Sequence, residues 1–183
     1  MYWQVYLHKT VLVAEKMLVN IIHRAKQIKA KAPSETLNAF LTNPDKHTDV
    51  KEFLKDFCNL DDYDVLSAIK FWVNNPDKIL SLLCKGLINR RLLKVKYFSR
   101  EIPEAFFVKK QKEVCSQLNI SKDESSYLVF TGETENRTYN TMDEHIHILF
   151  KDGTVKDISK VDNALINQTL FGTVKKFYIC SLT

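Results

Sequence analysis

Glycine and proline are scarce, with four of each in 183 residues. So few chain breakers exclude a long flexible linker or a low-complexity tract, which need such residues to stay unstructured. No internal repeat is visible, and solenoid and propeller architectures fall away with it. Cysteine is equally sparse: Cys58, Cys84, Cys115 and Cys180 lie far apart, with no Cys-x-x-Cys pair and no Cys/His cluster at zinc-ligand spacing. Flanked by apolar residues, each thiol is expected to be a small buried hydrophobe in a reducing compartment. No apolar run approaches the roughly 20 residues of a membrane span. Residues 1–9 lack the basic and apolar regions of a secretory signal, so a cytoplasmic protein without a membrane partner is expected. Complete catalytic signatures are missing too: there is no GxSxG, no glycine-rich phosphate loop and no HExxH.

What is present is a foldable core. The chain is 45% hydrophobic, enough for one compact unit or two small ones. The net charge of +5, from 27 basic and 22 acidic residues, permits phosphate-bearing partners without demanding them. In the first half the apolar spacing has the period of helices. Leu7, Val11, Ala14, Leu18, Ile21, Ala25 and Ile28 form one stripe, with Lys9, Lys16, Asn20, Arg24, Gln27 and Lys31 opposite. Pro33 should end this helix near residue 31 or 32. Ser34 would cap a short helix to residue 41. Asp49 would cap residues 50–58, burying Val50, Phe53, Leu54 and Phe57. An acidic start at Asp61, Asp62 and Asp64 leads a helix burying Val65, Leu66, Ile69 and Trp72. Asp77 opens another, to about residue 89, with Ile79, Leu80, Leu82, Leu83 and Leu87 inside.

The period then falls to 2. Residues 92–98 read as a strand, and Pro103 opens a helix reaching residue 118. Residues 127–131 form a second strand, followed by a polar loop containing Gly132, Asn136 and Asn140. Residues 146–150 and 155–158 are expected to pair across Asp152-Gly153 in a type I′ turn. A short helix at 161–167 and a final strand at 174–180 complete the chain. The expected class is α+β: a helical part, residues 1–91, and a small mostly antiparallel part, residues 92–183, near a β-α-β-β-α-β order.

Three clusters carry possible chemistry. Tyr6 can stack on a sugar or base, His8 can donate to phosphate, and Lys9 can neutralise it; the bland alternative is an ordinary helix start. Arg90, Arg91 and Lys94 surround a helix-to-strand junction, where guanidinium forks match phosphate oxygens, or simply form a solvated basic turn. His145 and His147 point the same way on a strand, which suits a surface pair better than a metal site lacking a third ligand. Asp61, Asp62 and Asp64 suit a helix start better than a metal.

Val5-Tyr6-Leu7-His8-Lys9, Ala14-Glu15-Lys16-Met17-Leu18, Leu60-Asp61-Asp62-Tyr63-Asp64-Val65 and Asn89-Arg90-Arg91-Leu92-Leu93-Lys94 follow one another in this order. Together they resemble the C-terminal region of HD-superfamily phosphohydrolases, in the dNTP triphosphohydrolase (dGTPase-like) branch. The resemblance covers residues 1–99 and is looser beyond. It implies a nucleotide-binding role for Tyr6 and His8 at the sugar and for Lys9 at phosphate, and a regulatory nucleotide site at Arg90, Leu92 and Lys94. It also implies dNTP ligands and a homo-oligomer. The family's divalent metal is held by separated histidines and a His-Asp pair in an N-terminal HD domain, and this sequence has no His-Asp dipeptide. The expectation is therefore a C-terminal fragment without catalytic or metal residues of its own, inactive alone, whose missing partner is that N-terminal HD domain. Two alternatives are a stand-alone module holding nucleotides or single-stranded nucleic acid on the basic face around Lys9, Arg90 and Lys94, and a purely structural subunit-contact module. No RNP, KH or OB signature supports the former.

Overall fold

The computed structural model describes residues 8–42, 50–136, 146–158, 161 and 174–182. Five helices come first: α1 (Lys9–Gln27), α2 (Glu35–Thr42), α3 (Val50–Asn59), α4 (Asp62–Trp72) and α5 (Lys78–Ile88). Then follow β1 (Lys94–Phe98), α6 (Glu104–Leu118), α7 (Lys122–Ser125), β2 (Phe130–Asn136), β3 (His147–Leu149), β4 (Val155–Asp157) and β5 (Val174–Ser181). The α+β class expected from the change of period is the one observed.

Helix α1 starts at Lys9 because His8 is extended (φ −64°, ψ 135°) and its side chain accepts from the Thr10 N–H. It stops several residues before Pro33. Lys29 takes a left-handed conformation (φ 51°), the Ala30 N–H reaches the Ala25 carbonyl (2.8 Å), and the Lys29 N–H reaches Lys26 (3.2 Å). This Schellman closure satisfies the last carbonyls and ends the helix before proline can act. The buried side is also turned from the expected stripe. Leu12, Val13, Met17, Ile21, Arg24 and Ala25 are inside, while Val11 is 41% exposed. The face is set by α5 and β1 packing against it, and the Leu93 N–H points at Met17 Sδ (3.5 Å).

Ser34 caps α2 as expected, its hydroxyl accepting from the Leu37 N–H (3.2 Å). The acidic start of α4 is a capping box: Asp61 accepts from the Tyr63 and Asp64 N–H groups, and Asp64 accepts from the Asp61 N–H. Asp61 and Asp64 thereby start the helix. Trp72 is fully buried, with its indole N–H donating to the Lys31 carbonyl (2.7 Å), so the ring's apolar area is gained without a stranded donor. Several expected core positions lie outside. Leu54, Phe57 and Leu66 are about half exposed, as is Phe71, because α3 and the outer side of α4 have no further layer over them among the described residues. Asp49 and the side chains of Val50 and Phe53 lie outside the described residues.

In the second half β5 lies between β1 and β2, antiparallel to both, with Lys94 opposite Ser181 and Gly132 opposite Tyr178. Strands β3 and β4 form a separate hairpin, so the described strands do not join in one sheet, and the second helix of the expected β-α-β-β-α-β order falls on residues outside those described. Gly132 and Asn136, expected in a loop, extend β2. Residues 127–129 turn into that strand, after a short helix that the Ser121-x-x-Glu124 capping box starts. At the hairpin only Gly153 has positive φ (83°), and its N–H donates to the Phe150 carbonyl (3.0 Å). The connection is thus a turn followed by a left-handed glycine rather than a type I′ turn, which needs two positive φ values. The short helix expected at 161–167 falls almost wholly outside the described residues. Helical and sheet halves share one core, running from Met17, Ile21 and Trp72 through Leu83 and Cys84 to Leu93, Leu128, Tyr178 and Cys180.

Candidate functional site

Lys9, Thr10 and Val13 of α1 and residues 92–95 line one cleft of about 290 Å³. The two clusters singled out in the sequence are thereby joined: Lys9 comes from one, Leu92 and Lys94 from the other. Leu93 is buried against Met17, which turns its neighbours Leu92 and Lys94 toward the surface beside the start of α1. The approach of the two segments also depends on Gly86 in α5. A Cβ there would stand 2.9 Å from Met17 Cε and 3.0 Å from the Arg91 carbonyl oxygen.

The cleft is electropositive. Lys9 and Lys94 are exposed ammonium groups, no carboxylate among the described residues lines the cleft, and the first turn of α1 carries no acidic residue to offset the positive end of the helix dipole. Among the described residues neither lysine has an ion-pair partner. His8 stands beside the cleft without lining it. Its Nδ1 accepts from the Thr10 N–H (3.3 Å), a tautomer that places the hydrogen on Nε2, where it can be donated outward. Arg90 is not among the lining residues. It is exposed and left-handed (φ 56°), closing α5 in a second Schellman motif in which the Arg91 N–H reaches Gly86 (2.8 Å). Tyr6 lies outside the described residues, as does His145.

A polar node braces this arrangement, and the sequence pattern missed it. Arg24, assigned by its spacing to the solvent face, is 9% exposed and donates to Asp77 through Nε (3.1 Å) and Nη2 (2.6 Å). It also reaches Gln27 (2.7 Å) and Glu124 (3.3 Å) and lies over the Tyr127 ring. Asp77 meanwhile caps α5 by accepting from the Leu80 N–H (2.8 Å). The hydrogen bond to Asp77 raises the Arg24 pKa against the effect of burial. Burial pushes the Asp77 carboxyl upward, but hydrogen bonds from Arg24 and the Leu80 N–H outweigh it and leave the pKa below its ordinary value. Nothing in the sequence near Arg24 announces partners 53 and 100 residues away.

The thiols divide by burial. Cys84 and Cys180 are fully enclosed and desolvation pushes both up to about 12, whereas Cys58 is exposed and Cys115 half-buried. The expectation that all four are buried fails at Cys58. Among the described residues no group of three or more His, Cys, Asp or Glu could hold a metal ion. His8 and His23 stand near opposite ends of α1, and His147 is on β3. No described helix is long and apolar enough to cross a membrane.

Comparison with known proteins places this geometry in context. The crystal structure of a phosphohydrolase from Bacteroides thetaiotaomicron superposes on the whole chain with a TM-score of 0.88 and 37% sequence identity, and the match takes in 47% of that protein. The chain is similar to part of a phosphohydrolase. At that level the sequence resemblance holds. The uncharacterized protein YwfO of Bacillus subtilis is 31% identical over 175 residues, which are 87% of this chain and 37% of YwfO. The chain thus spans less than half the length of either relative. No family model matches it.

Proposed function

We propose that this chain is the C-terminal part of an HD-type nucleotide phosphohydrolase of the dNTP triphosphohydrolase kind, and that it supplies a nucleotide-contacting wall rather than the hydrolytic centre. The observation that carries this reading is the convergence of Lys9 with Leu92 and Lys94 at one cationic cleft. Two lysines without an ion-pair partner among the described residues, a helix N-terminus and the Thr10 hydroxyl form a receptor for phosphate oxygens. Leu92 and Val95 give it an apolar floor. His8 and Tyr6, just ahead of α1, would meet the sugar. Arg90 would approach the same nucleotide from outside the cleft in an assembled oligomer.

In this reading hydrolysis belongs to another part of the protein, and the likeness to part of a phosphohydrolase supports it. The divalent metal would sit in an N-terminal HD domain, since the described residues offer no ligand set, and no catalytic step is assigned to this chain. That domain is also the partner proposed for the outward apolar side chains Leu54, Leu66 and Phe71.

The test is a pair of assays on the 183-residue chain. Titration with dGTP should give saturable binding that Lys9→Gln with Lys94→Gln weakens, and incubation with dGTP and manganese should release no triphosphate. Metal-dependent triphosphate release would overturn the proposed division of labour.

A further inference from the structure

A second groove, of about 630 Å³, runs along α5 and lies outside the cleft just described. Lys78 in the first turn of α5, Lys85 in the last, and Arg91 beyond its end all line it, with Asn75 and Asn89 between and beside them. Among the described residues no carboxylate and no aromatic or histidine side chain lines it. Lys78 and Lys85 are two helical turns apart, which puts both on one face with about 10 Å of axis between them. One phosphate group cannot meet both ends, but a short chain of condensed phosphates can.

The local hydrogen bonding suits an anion along the whole length. At the far end of α5 the carbonyls of Lys85, Gly86 and Leu87 already accept from the N–H groups of Asn89, Arg91 and Arg90, so the negative end of the helix is covered. Asn75 uses its carbonyl oxygen to accept from the Asp77 N–H (2.9 Å), leaving its amide hydrogens to donate. Lys78 donates one hydrogen to the Leu118 carbonyl and keeps two. The Lys85 and Arg91 side chains have no ion-pair partner among the described residues.

We infer that the α5 groove is a binding site for an unsubstituted condensed phosphate chain, such as inorganic tripolyphosphate, separate from the Lys9–Lys94 cleft. Among its described lining residues the groove offers nothing for a base to stack on, and that favours a phosphate chain over a nucleotide. Successive residues of one turn serve both places: Arg91 faces the groove, and residues 92–95 face the cleft.

Calorimetric titration of the full chain with sodium tripolyphosphate at low and moderate salt tests the inference. Binding should be saturable and weaken with salt, and Lys85→Gln with Arg91→Gln should reduce affinity about tenfold or more, because charged hydrogen bonds are lost. In Lys9→Gln/Lys94→Gln any tripolyphosphate taken up by the phosphate-receiving cleft is lost, and the binding event that belongs to the α5 groove should persist with its affinity within about twofold. All four side chains are exposed, and matching circular dichroism melts would show that the variants fold alike. A parallel dGTP titration separates the ligand sources: its response to the Lys85/Arg91 pair should be the smaller one. Absence of saturable tripolyphosphate binding, or equal loss in both double variants, overturns the groove assignment. The dGTP response to Lys9 and Lys94 stands or falls by itself.

Discussion

Arg24 of α1 grips Asp77, the cap of α5, with two hydrogen bonds of 3.1 and 2.6 Å, and the pair fixes the angle at which the two helices meet. Both side chains are largely enclosed, 10% and 18% exposed, so removing one strands the other. Arg24→Met should cost about 3 kcal/mol, since a buried charge loses its partner. Asp77→Ala should cost about 1 kcal/mol more, because the α5 cap goes as well. Urea denaturation of the two variants would show the order, and equal losses would contradict the double role of Asp77.

The same pair predicts a pH dependence. Asp77 has a folded pKa below its unfolded value, so its stabilising contribution is complete above the ordinary carboxylate range and fades as acid protonates the folded form. Arg24 stays charged throughout. The melting temperature of the wild type should fall on acidification below about pH 4, and Asp77→Asn should flatten that part of the profile.

Gly132 leaves room for the Tyr178 ring in the neighbouring strand. A Cβ at 132 would stand 2.4 Å from the Tyr178 hydroxyl oxygen and 2.5 Å from the adjoining ring carbon, and Tyr178 is 2% exposed. Gly132→Ala should therefore destabilise the chain by about 1–3 kcal/mol through overpacking, measurable as a lower denaturation midpoint. A pairing with Tyr178→Phe, which removes the clashing oxygen, should recover part of that loss.

Thiol chemistry offers a check on burial. In the native chain iodoacetamide should label Cys58 first and Cys115 more slowly, while Cys84 and Cys180, both buried and held up to about 12, should react only after unfolding. Peptide mass mapping of a time course would display this order.

Arg90 separates backbone from side chain. Its left-handed conformation costs an L-residue about 1 kcal/mol, which glycine avoids while losing more entropy on folding. Arg90→Gly should leave stability equal or raise it by about 0.5 kcal/mol. Any loss of nucleotide affinity in that variant then belongs to the guanidinium.

The elements legible in the sequence were those set by local chemistry. Ser34, Asp61 and Asp77 announced their helices as caps, and the alternation around Val95 and Tyr97 announced β1. What escaped was decided by distant partners. Arg24 looks solvated until Asp77 and Glu124 fold beside it, Gly132 looks like a loop residue until Tyr178 covers it, and Lys29 ends α1 in a conformation its side chain does not advertise. The candidate site was half legible. Lys9, Leu92 and Lys94 carried the right chemistry, but only packing of Leu93 on Met17 brings them to one cleft.

Binding of dGTP to the wild-type chain and to Lys9→Gln/Lys94→Gln, followed by calorimetry at low salt, addresses the central claim most directly. A nucleotide wall predicts saturable binding that the double variant weakens about tenfold or more, with the fold unchanged. No binding by the wild type, or the same affinity in both, would contradict it.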